Sequence, residues 1–137
     1  ATDFLLEWVQ SLRCRPALQG VFLGGITIAG LGVVDIVALS EGLGLPVLAV
    51  NRRDPVHHRL ADALSAAGLE ERLSVVERAP ESFAVGGHLW VAAAGIERGL
   101  AVRLVRRSQR KSELPEPLRL AHLIARAFVR GESRGRP

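Results

Sequence analysis

The chain has 137 residues, of which 48% are apolar, and this predicts one compact domain with a core of its own. No apolar run approaches the roughly 20 residues of a membrane span. The opening ATDFLLEWVQ has no signal-peptide pattern, and it begins directly in a helix, as if an N-terminal segment were absent. Cys14 is the only cysteine, which excludes an internal disulfide and a zinc ribbon, so we expect a cytoplasmic protein.

Charge is distributed unevenly along the chain. Residues 98–137 hold 11 Lys and Arg against 3 acidic residues, whereas residues 1–97 hold 7 Arg against 11 acidic residues. A basic segment of this kind is typical of proteins that bind a phosphate backbone. Solvated helix faces in an arginine-rich protein are the alternative interpretation, and the composition alone does not separate the two.

The first half of the chain predicts a strand–helix–strand unit preceded by a helix. Thr2 or Asp3 is placed to cap the first helix, in which apolar residues recur at helical spacing. A buried strand is predicted from Val21 to Ala29, then a helix from Asp35 to Glu41, then a strand from Val47 to Val50. Two strands joined through a helix favour parallel pairing in a right-handed unit.

The second half predicts two further strands and three further helices. Asp54 followed by proline is a strong helix start, with a stop at Gly68. Strands are predicted at 73–77 and 88–93, either paired as a hairpin or as separate members of the sheet. Helices are predicted at 96–109 and 118–130, the last with Leu120, Leu123, Ile124 and Phe128 buried, before a polar tail at 131–137. The whole chain is expected to form a single α/β domain with a mixed sheet flanked by helices.

The stretch VFLGGITIAGLGVVDI, residues 21–36, is the first place to look for function, because sites in open α/β sheets lie beyond the carboxyl ends of strands. Its glycines do not form a dinucleotide or Walker phosphate loop. Asp35 follows it and is a candidate catalytic or metal-binding carboxylate, although capping of the next helix already explains an aspartate there.

His122 is the most informative of the four histidines. It follows Arg119 by three residues on the last predicted helix, so the two side chains share a face. A metal ligand, a proton shuttle and a hydrogen-bonded structural residue are all compatible with that position. His57 and His58 are adjacent, point to different helix faces, and are interpreted as a solvated pair.

A phosphate-contacting surface is predicted on the last two helices. Its members are basic residues that face outward or share a face with His122: Arg106, Arg107, Arg110, Lys111 and Arg119. Contacts of this kind predict nucleic-acid binding that weakens steeply with salt.

Four separated motifs carry a family resemblance: VFLGGITIAGLGVVDI, LGLPVLAVNRRDP, LPEPLRLAHLIA and GESRGR. Together they resemble domain-of-unknown-function family 99, a mainly archaeal set of uncharacterised proteins. The resemblance implies an RNase H-like fold related to endonuclease V, which nicks nucleic acid at deaminated purines with a divalent metal. It also implies that the N-terminal strands of the family domain, which carry an acidic residue, have no counterpart here, and that His122 occupies the place of a metal-site histidine.

The resemblance also marks a departure at Gly24. The family strand ends Leu-Asp-Gly-Ile-Thr, with a metal-binding aspartate in endonuclease V, whereas this chain has Leu-Gly-Gly-Ile-Thr. Asp35 matches the family's own Val-Val-Asp-Ile. We therefore expect a nucleic-acid-binding protein that is catalytically degenerate in this chain. The alternatives are a Mg²⁺- or Mn²⁺-dependent endonuclease acting on damaged or deaminated nucleic acid, with acidic ligands from an N-terminal segment, and a non-enzymatic interaction module.

Overall fold

A computed structural model describes residues 1–28, 30–55 and 57–130, without the side chains of His57 and His58. The interpretation of that pair as solvated, and the polar tail at 131–137, therefore lie outside the described residues. Within them the chain forms six α-helices and six strands: α1 Thr2–Ser11, β1 Val21–Leu23, β2 Thr27–Ile28, β3 Gly32–Val33, α2 Ile36–Leu43, β4 Val47–Asn51, α3 His57–Ala66, α4 Leu73–Arg78, β5 Phe83–Val85, β6 Leu89–Ala94, α5 Arg98–Ser108 and α6 Glu116–Arg130.

Four strands form a mixed sheet in the order β1-β4-β6-β5. β1 and β4 are parallel, as the strand–helix–strand pattern predicted, while β6 runs antiparallel to both β4 and β5. β2 and β3 form a separate antiparallel hairpin. The mixed sheet with flanking helices is confirmed.

Two apolar clusters cover the two faces of the sheet. Alternate residues of a strand point to opposite faces, so Val47 and Ala49 of β4 pack in one cluster and Leu48 and Val50 in the other. The first cluster also holds apolar residues of α1 to α4, and the second holds those of α5 and α6. β4 is therefore buried on both sides, which explains its uninterrupted apolar sequence.

The prediction of one strand over 21–29 is wrong. β1 ends at Leu23 and the chain bends at Gly24, Gly25 and Ile26 before the β2–β3 hairpin. Gly25 adopts a φ of 94°, which an L residue rarely adopts, and this turns the chain out of the sheet. The amide of Val34 then donates to the Ile26 carbonyl and fixes the hairpin against the bend.

The strand predicted at 73–77 is also wrong, because this segment is helix α4. Leu73 and Val76 are spaced by three residues and both pack in the first cluster, which a helical turn allows. A short apolar run does not distinguish a strand from one helical turn. The hairpin partner of β6 is instead β5, Phe83–Val85, which lies between the two predicted strands.

Several residues predicted to be buried in helices are exposed. On α6, Leu118 is buried, but Leu120, Ile124 and Phe128 have 45%, 58% and 86% of their surface accessible. Phe4 and Trp8, two of the apolar residues at helical spacing in α1, are exposed as well. The spacing predicted the helices correctly, but it did not determine which side of each helix faces the sheet. The prediction of Thr2 or Asp3 as the cap of α1 is also wrong, because both lie inside the helix after its N-cap residue Ala1. The Thr2 hydroxyl instead accepts the amide of Asp35.

Candidate nucleic-acid interface

The carboxyl ends of β1 and β4 meet at one edge of the sheet, because the two strands are parallel neighbours. Gly24 follows β1 directly, Asn51 is the last residue of β4, and Arg52 follows it. This edge is where ligands bind in open α/β sheets. Gly24, in the glycine-rich stretch, therefore lies at this edge.

The two glycines bring the backbone of this edge close to its neighbours. A Cβ atom on Gly25 would lie 3.0 Å from the Oδ1 atom of Asn51, so the loop packs on that amide with little room for a side chain. A Cβ atom on Gly24 would lie 3.8 Å from the Nε2 atom of His122, an ordinary contact distance. His122 and the end of the Gly24 strand thus converge, as the resemblance implied.

Helix α6 supplies the other wall of the cleft. Leu118 is buried in the second apolar cluster and fixes the helix against the sheet. Arg119, His122 and Arg126, at spacings of three and four, then project from one face of α6. With the strand ends they enclose a cleft of about 400 Å³, whose lining residues are Gly24, Val50, Asn51, Arg52, Leu114, Arg119, His122, Leu123 and Arg126.

Arg119 is held in place by Glu116. Its Nε atom donates to the carboxylate at 2.9 Å, and its Nη2 atom donates to the second oxygen, so the contact is bidentate. This hydrogen bond lowers the pKa of the Glu116 carboxyl, with a further contribution from the charge of Lys111, and it raises the pKa of Arg119. Glu116 neutralises part of the charge that Arg119 brings to the cleft.

The cleft fits an anion and does not fit a divalent metal ion. Its lining contains three guanidinium groups and one imidazole but no carboxylate, whereas Mg²⁺ and similar ions require oxygen ligands, usually carboxylates. Within the described part of the chain, no three His, Cys, Asp or Glu side chains are grouped to hold a metal ion. Guanidinium groups instead match the planar, charged oxygens of a phosphodiester.

Asp35 is not among the residues that line the cleft. Its Oδ1 atom accepts the amide of Ala38 and caps α2, and its Oδ2 atom accepts a hydrogen bond from Arg78 at 3.0 Å. Its own amide donates to Thr2. The helix-cap interpretation accounts for these contacts, and the structure does not bring Asp35 together with His122.

Of the five residues of the predicted basic surface, only Arg119 lines the cleft. Arg106 lines a separate concavity with Gly86 and Glu113. Arg110 donates to the carbonyls of Arg107 and Gln109, and it is exposed, as are Arg107 and Lys111.

Sequence reasoning missed three residues of the cleft: Asn51, Arg52 and Arg126. Two signals were available. Asn51 and Arg52 directly follow the apolar part of a buried strand, and Arg126 follows His122 by four residues and so shares its face.

The family model described as Endonuclease dU matches residues 1–129. The chain belongs to the Endonuclease dU family. A UPF0215 protein of Methanothermobacter thermautotrophicus is 41% identical over 139 residues, which cover 98% of this chain and 68% of that protein. A UPF0215 protein of Archaeoglobus fulgidus is 36% identical over 137 residues, covering 99% of this chain and 75% of that protein.

A solved structure from Archaeoglobus fulgidus has a closely similar fold. It superposes with a TM-score of 0.88 at 34% identity, covering 93% of this chain and 74% of that chain, and it is described as a protein of unknown function. The resemblance to uncharacterised archaeal proteins is thereby confirmed. In the described part of the chain, no helix combines the length and apolar character that a membrane span requires.

Proposed function

We propose that this chain binds nucleic acid and holds the phosphodiester backbone in the cleft between the sheet edge and α6. One observation carries the proposal: three arginines and a histidine surround the carboxyl ends of two parallel strands, with no carboxylate in the lining. The family description, which names an endonuclease and dU, the usual abbreviation of deoxyuridine, supports nucleic acid as the partner. The mixed sheet with parallel β1 and β4 supports an RNase H-like ancestry.

The cleft provides several ways to hold a phosphate. Arginine donates two parallel hydrogen bonds to phosphate oxygens, and Arg52, Arg119 and Arg126 surround the same space. The exposed imidazole of His122 adds a donor, and Gly24 presents no side chain, so a phosphate can approach the backbone closely.

In this chain the cleft is proposed to bind without cutting. Hydrolysis assisted by two metal ions needs ligands that position the ions on the attacking and leaving oxygens. Gly24 offers none at the position where the resemblance implies an aspartate. The arginines would also compete electrostatically with a cation.

The test is a titration of fluorescently labelled DNA and RNA, single- and double-stranded, by fluorescence anisotropy across a salt series. We expect binding that weakens steeply as salt rises, because counterions are released from the phosphates. We expect no nicking of deoxyuridine-containing strands with Mg²⁺ or Mn²⁺. Binding that is insensitive to salt, or no binding at 50 mM salt, would contradict the proposal.

A metal-dependent endonuclease is the second candidate, favoured by the position of His122. Its Nε2 atom lies 3.8 Å from where the Cβ atom of a residue at position 24 would be, so the imidazole could join acidic ligands supplied from elsewhere. On this hypothesis acidic ligands come from a polypeptide segment outside these 137 residues. It predicts Mn²⁺-dependent nicking by such a longer protein, which His122→Ala abolishes. An inactive longer protein, tested on uracil- and hypoxanthine-containing DNA and RNA, would count against it.

A further inference from the structure

All four strands of the mixed sheet contribute to the edge at which the cleft lies. β6 runs antiparallel to both β4 and β5, so its first residues lie beside the carboxyl ends of those two strands. The register places Asn51 opposite Trp90 and Val85 opposite Leu89. The cleft occupies the part of this edge next to β1 and β4, and the edge continues past β6 to β5.

Two further concavities of about 390 Å³ each lie along this continuation. The nearer concavity shares Arg52 and Leu114 with the cleft. The farther concavity shares Leu89 and Glu113 with the nearer one and reaches Arg106 of α5. The cleft and the two concavities therefore adjoin one another, and we call the two concavities together the edge groove.

The edge groove has an apolar floor and a polar rim. Leu89 and Leu114 are buried members of the second apolar cluster, whereas Arg52, His88 and Arg106 are exposed. Guanidinium and imidazole groups donate hydrogen bonds to phosphate oxygens, and such contacts position a nucleic acid without reading its sequence. The edge groove can therefore hold a backbone of any sequence.

One wall of the edge groove is the segment between α5 and α6, which is held in place by its own hydrogen bonds. The Nε2 atom of Gln109 donates to the Glu113 carbonyl at 2.6 Å, and the amide of Leu114 donates to the Ser112 hydroxyl at 3.2 Å. Gln109 also forms a β-bridge with Pro115. A wall that is already ordered loses little conformational entropy when a ligand binds.

Glu113 provides the only carboxylate among the residues that line the edge groove. It lines both concavities and so lies where they adjoin, between Arg52 and Arg106. Its negative charge opposes a phosphate at that point, while the arginines attract phosphates on either side. Glu113 therefore weakens binding along the edge groove without closing it.

The edge is long enough for several nucleotides. Neighbouring strands lie ~4.8 Å apart, so the three intervals from β1 to β5 span about 14 Å. A nucleic acid strand advances ~3.4 Å per nucleotide along a helix, so about four nucleotides fit this length. We propose that the strand whose phosphate lies in the cleft continues through the edge groove to Arg106, an inference that rests on the proposed function.

The first experiment locates the bound strand by NMR. The ¹⁵N-labelled chain is titrated with single-stranded thymidylates of two and of twelve nucleotides. The short strand should shift amide signals mainly at the cleft, including Gly24 and Arg126, because most of the arginines lie there. The long strand should also shift the signals of Gly86, His88 and Ser112, which line the edge groove.

The second experiment measures the affinity of the twelve-nucleotide strand by anisotropy across a salt series. Arg106→Gln should make the salt slope shallower by up to about 0.7, the value for one phosphate contact on a single strand. The matched control is Arg107→Gln, which removes an exposed charge from the next residue of α5, outside the lining of the edge groove. It should retain the wild-type slope.

Glu113→Gln should tighten binding of the long strand by about two- to fivefold, as expected for one exposed charge interaction. The substitution leaves the Glu113 carbonyl that accepts Gln109 in place. Glu41→Gln, which removes an exposed carboxylate of α2, is the matched control and should have a smaller effect.

Three outcomes would overturn the edge groove: amide shifts confined to the cleft with the long strand, equal slopes for Arg106→Gln and Arg107→Gln, or equal affinities for Glu113→Gln and Glu41→Gln. In each case binding at the cleft refutes only the edge groove. If neither strand shifts any signal at the cleft at low salt, the proposed function is refuted as well.

Discussion

Replacement of the three cleft arginines should change the salt dependence of binding more than replacement of arginines elsewhere. The variant is Arg52→Gln, Arg119→Gln and Arg126→Gln together, which removes three positive charges from the cleft lining. For duplex DNA, the slope of log K against log salt is about −0.9 for each neutralised phosphate. Three lost contacts should therefore make the slope shallower by up to about 2.7, and by about 1.8 if Glu116 already neutralises Arg119.

This difference is large enough to measure. Salt is raised fourfold, from 50 to 200 mM. With a slope difference of about 1.8 to 2.7, the ratio of the wild-type to the variant binding constant should then fall by roughly 12- to 40-fold. Anisotropy titrations at four salt concentrations would resolve it. Circular dichroism before each titration would establish that the variant is folded.

The matched control removes the same charge from α5 and the segment directly after it. Arg106→Gln, Arg107→Gln and Arg110→Gln also delete three positive charges, but none of these residues lines the cleft. We expect a clearly smaller change in slope from this variant. An equal or larger change would refute the cleft as the phosphate site and would favour the helix surface that the sequence predicted.

Four further predictions concern single residues. Glu116→Gln should tighten DNA binding and steepen the salt slope by up to about 0.9, because it frees Arg119; an unchanged slope in the same titration would contradict this. Because Arg119 holds the pKa of Glu116 below 4.5, the stability from this pair is present above pH 4.5 and is lost as the pH falls through the lowered pKa. The difference in urea stability between wild type and Glu116→Gln should therefore shrink below pH 4.5. Asp35→Ala should lower the free energy of unfolding by about 0.5–2 kcal/mol, because the α2 cap is lost. Its DNA affinity should be unchanged. Weaker DNA binding by the folded variant would indicate that Asp35 belongs to the binding site. Gly24→Asp should bind DNA more weakly than Gly24→Ala, since the two add the same Cβ atom and only one adds a negative charge; equal affinities would place the phosphate elsewhere.

The order of the main elements followed from the local sequence. The apolar run at 47–50 predicted a buried strand, and β4 is buried on both faces. Asp35 predicted the start of α2, which the structure confirms with a side-chain cap, whereas the helix continues two residues beyond the predicted Glu41 and ends before the left-handed Gly44. These features can be predicted from the sequence, because secondary-structure propensity and helix capping depend on residues within a few positions of one another.

Segments whose conformation depends on distant partners were predicted poorly. The segment 73–77 carries β-branched residues that favour a strand, yet contacts with the first apolar cluster make it helical. The spacing on α6 showed that a face was apolar, but Leu118 is buried and Phe128 is exposed. Helical periodicity identifies the apolar face of a helix, but the element that packs against the helix determines which residues of that face are buried.

The sequence by itself determined an α/β chain with a glycine-rich strand end, a basic final third and a histidine on its last helix. Its resemblance to endonuclease V also implied that Gly24 and His122 occupy positions of one site. Only the tertiary structure brought Asn51, Arg52, Arg119 and Arg126 into the same cleft, and only it separated Asp35 from that cleft. The physical reason is that parallel pairing of β1 with β4, and packing of α6 on the sheet, join residues up to about a hundred positions apart, and no local pattern encodes such distances.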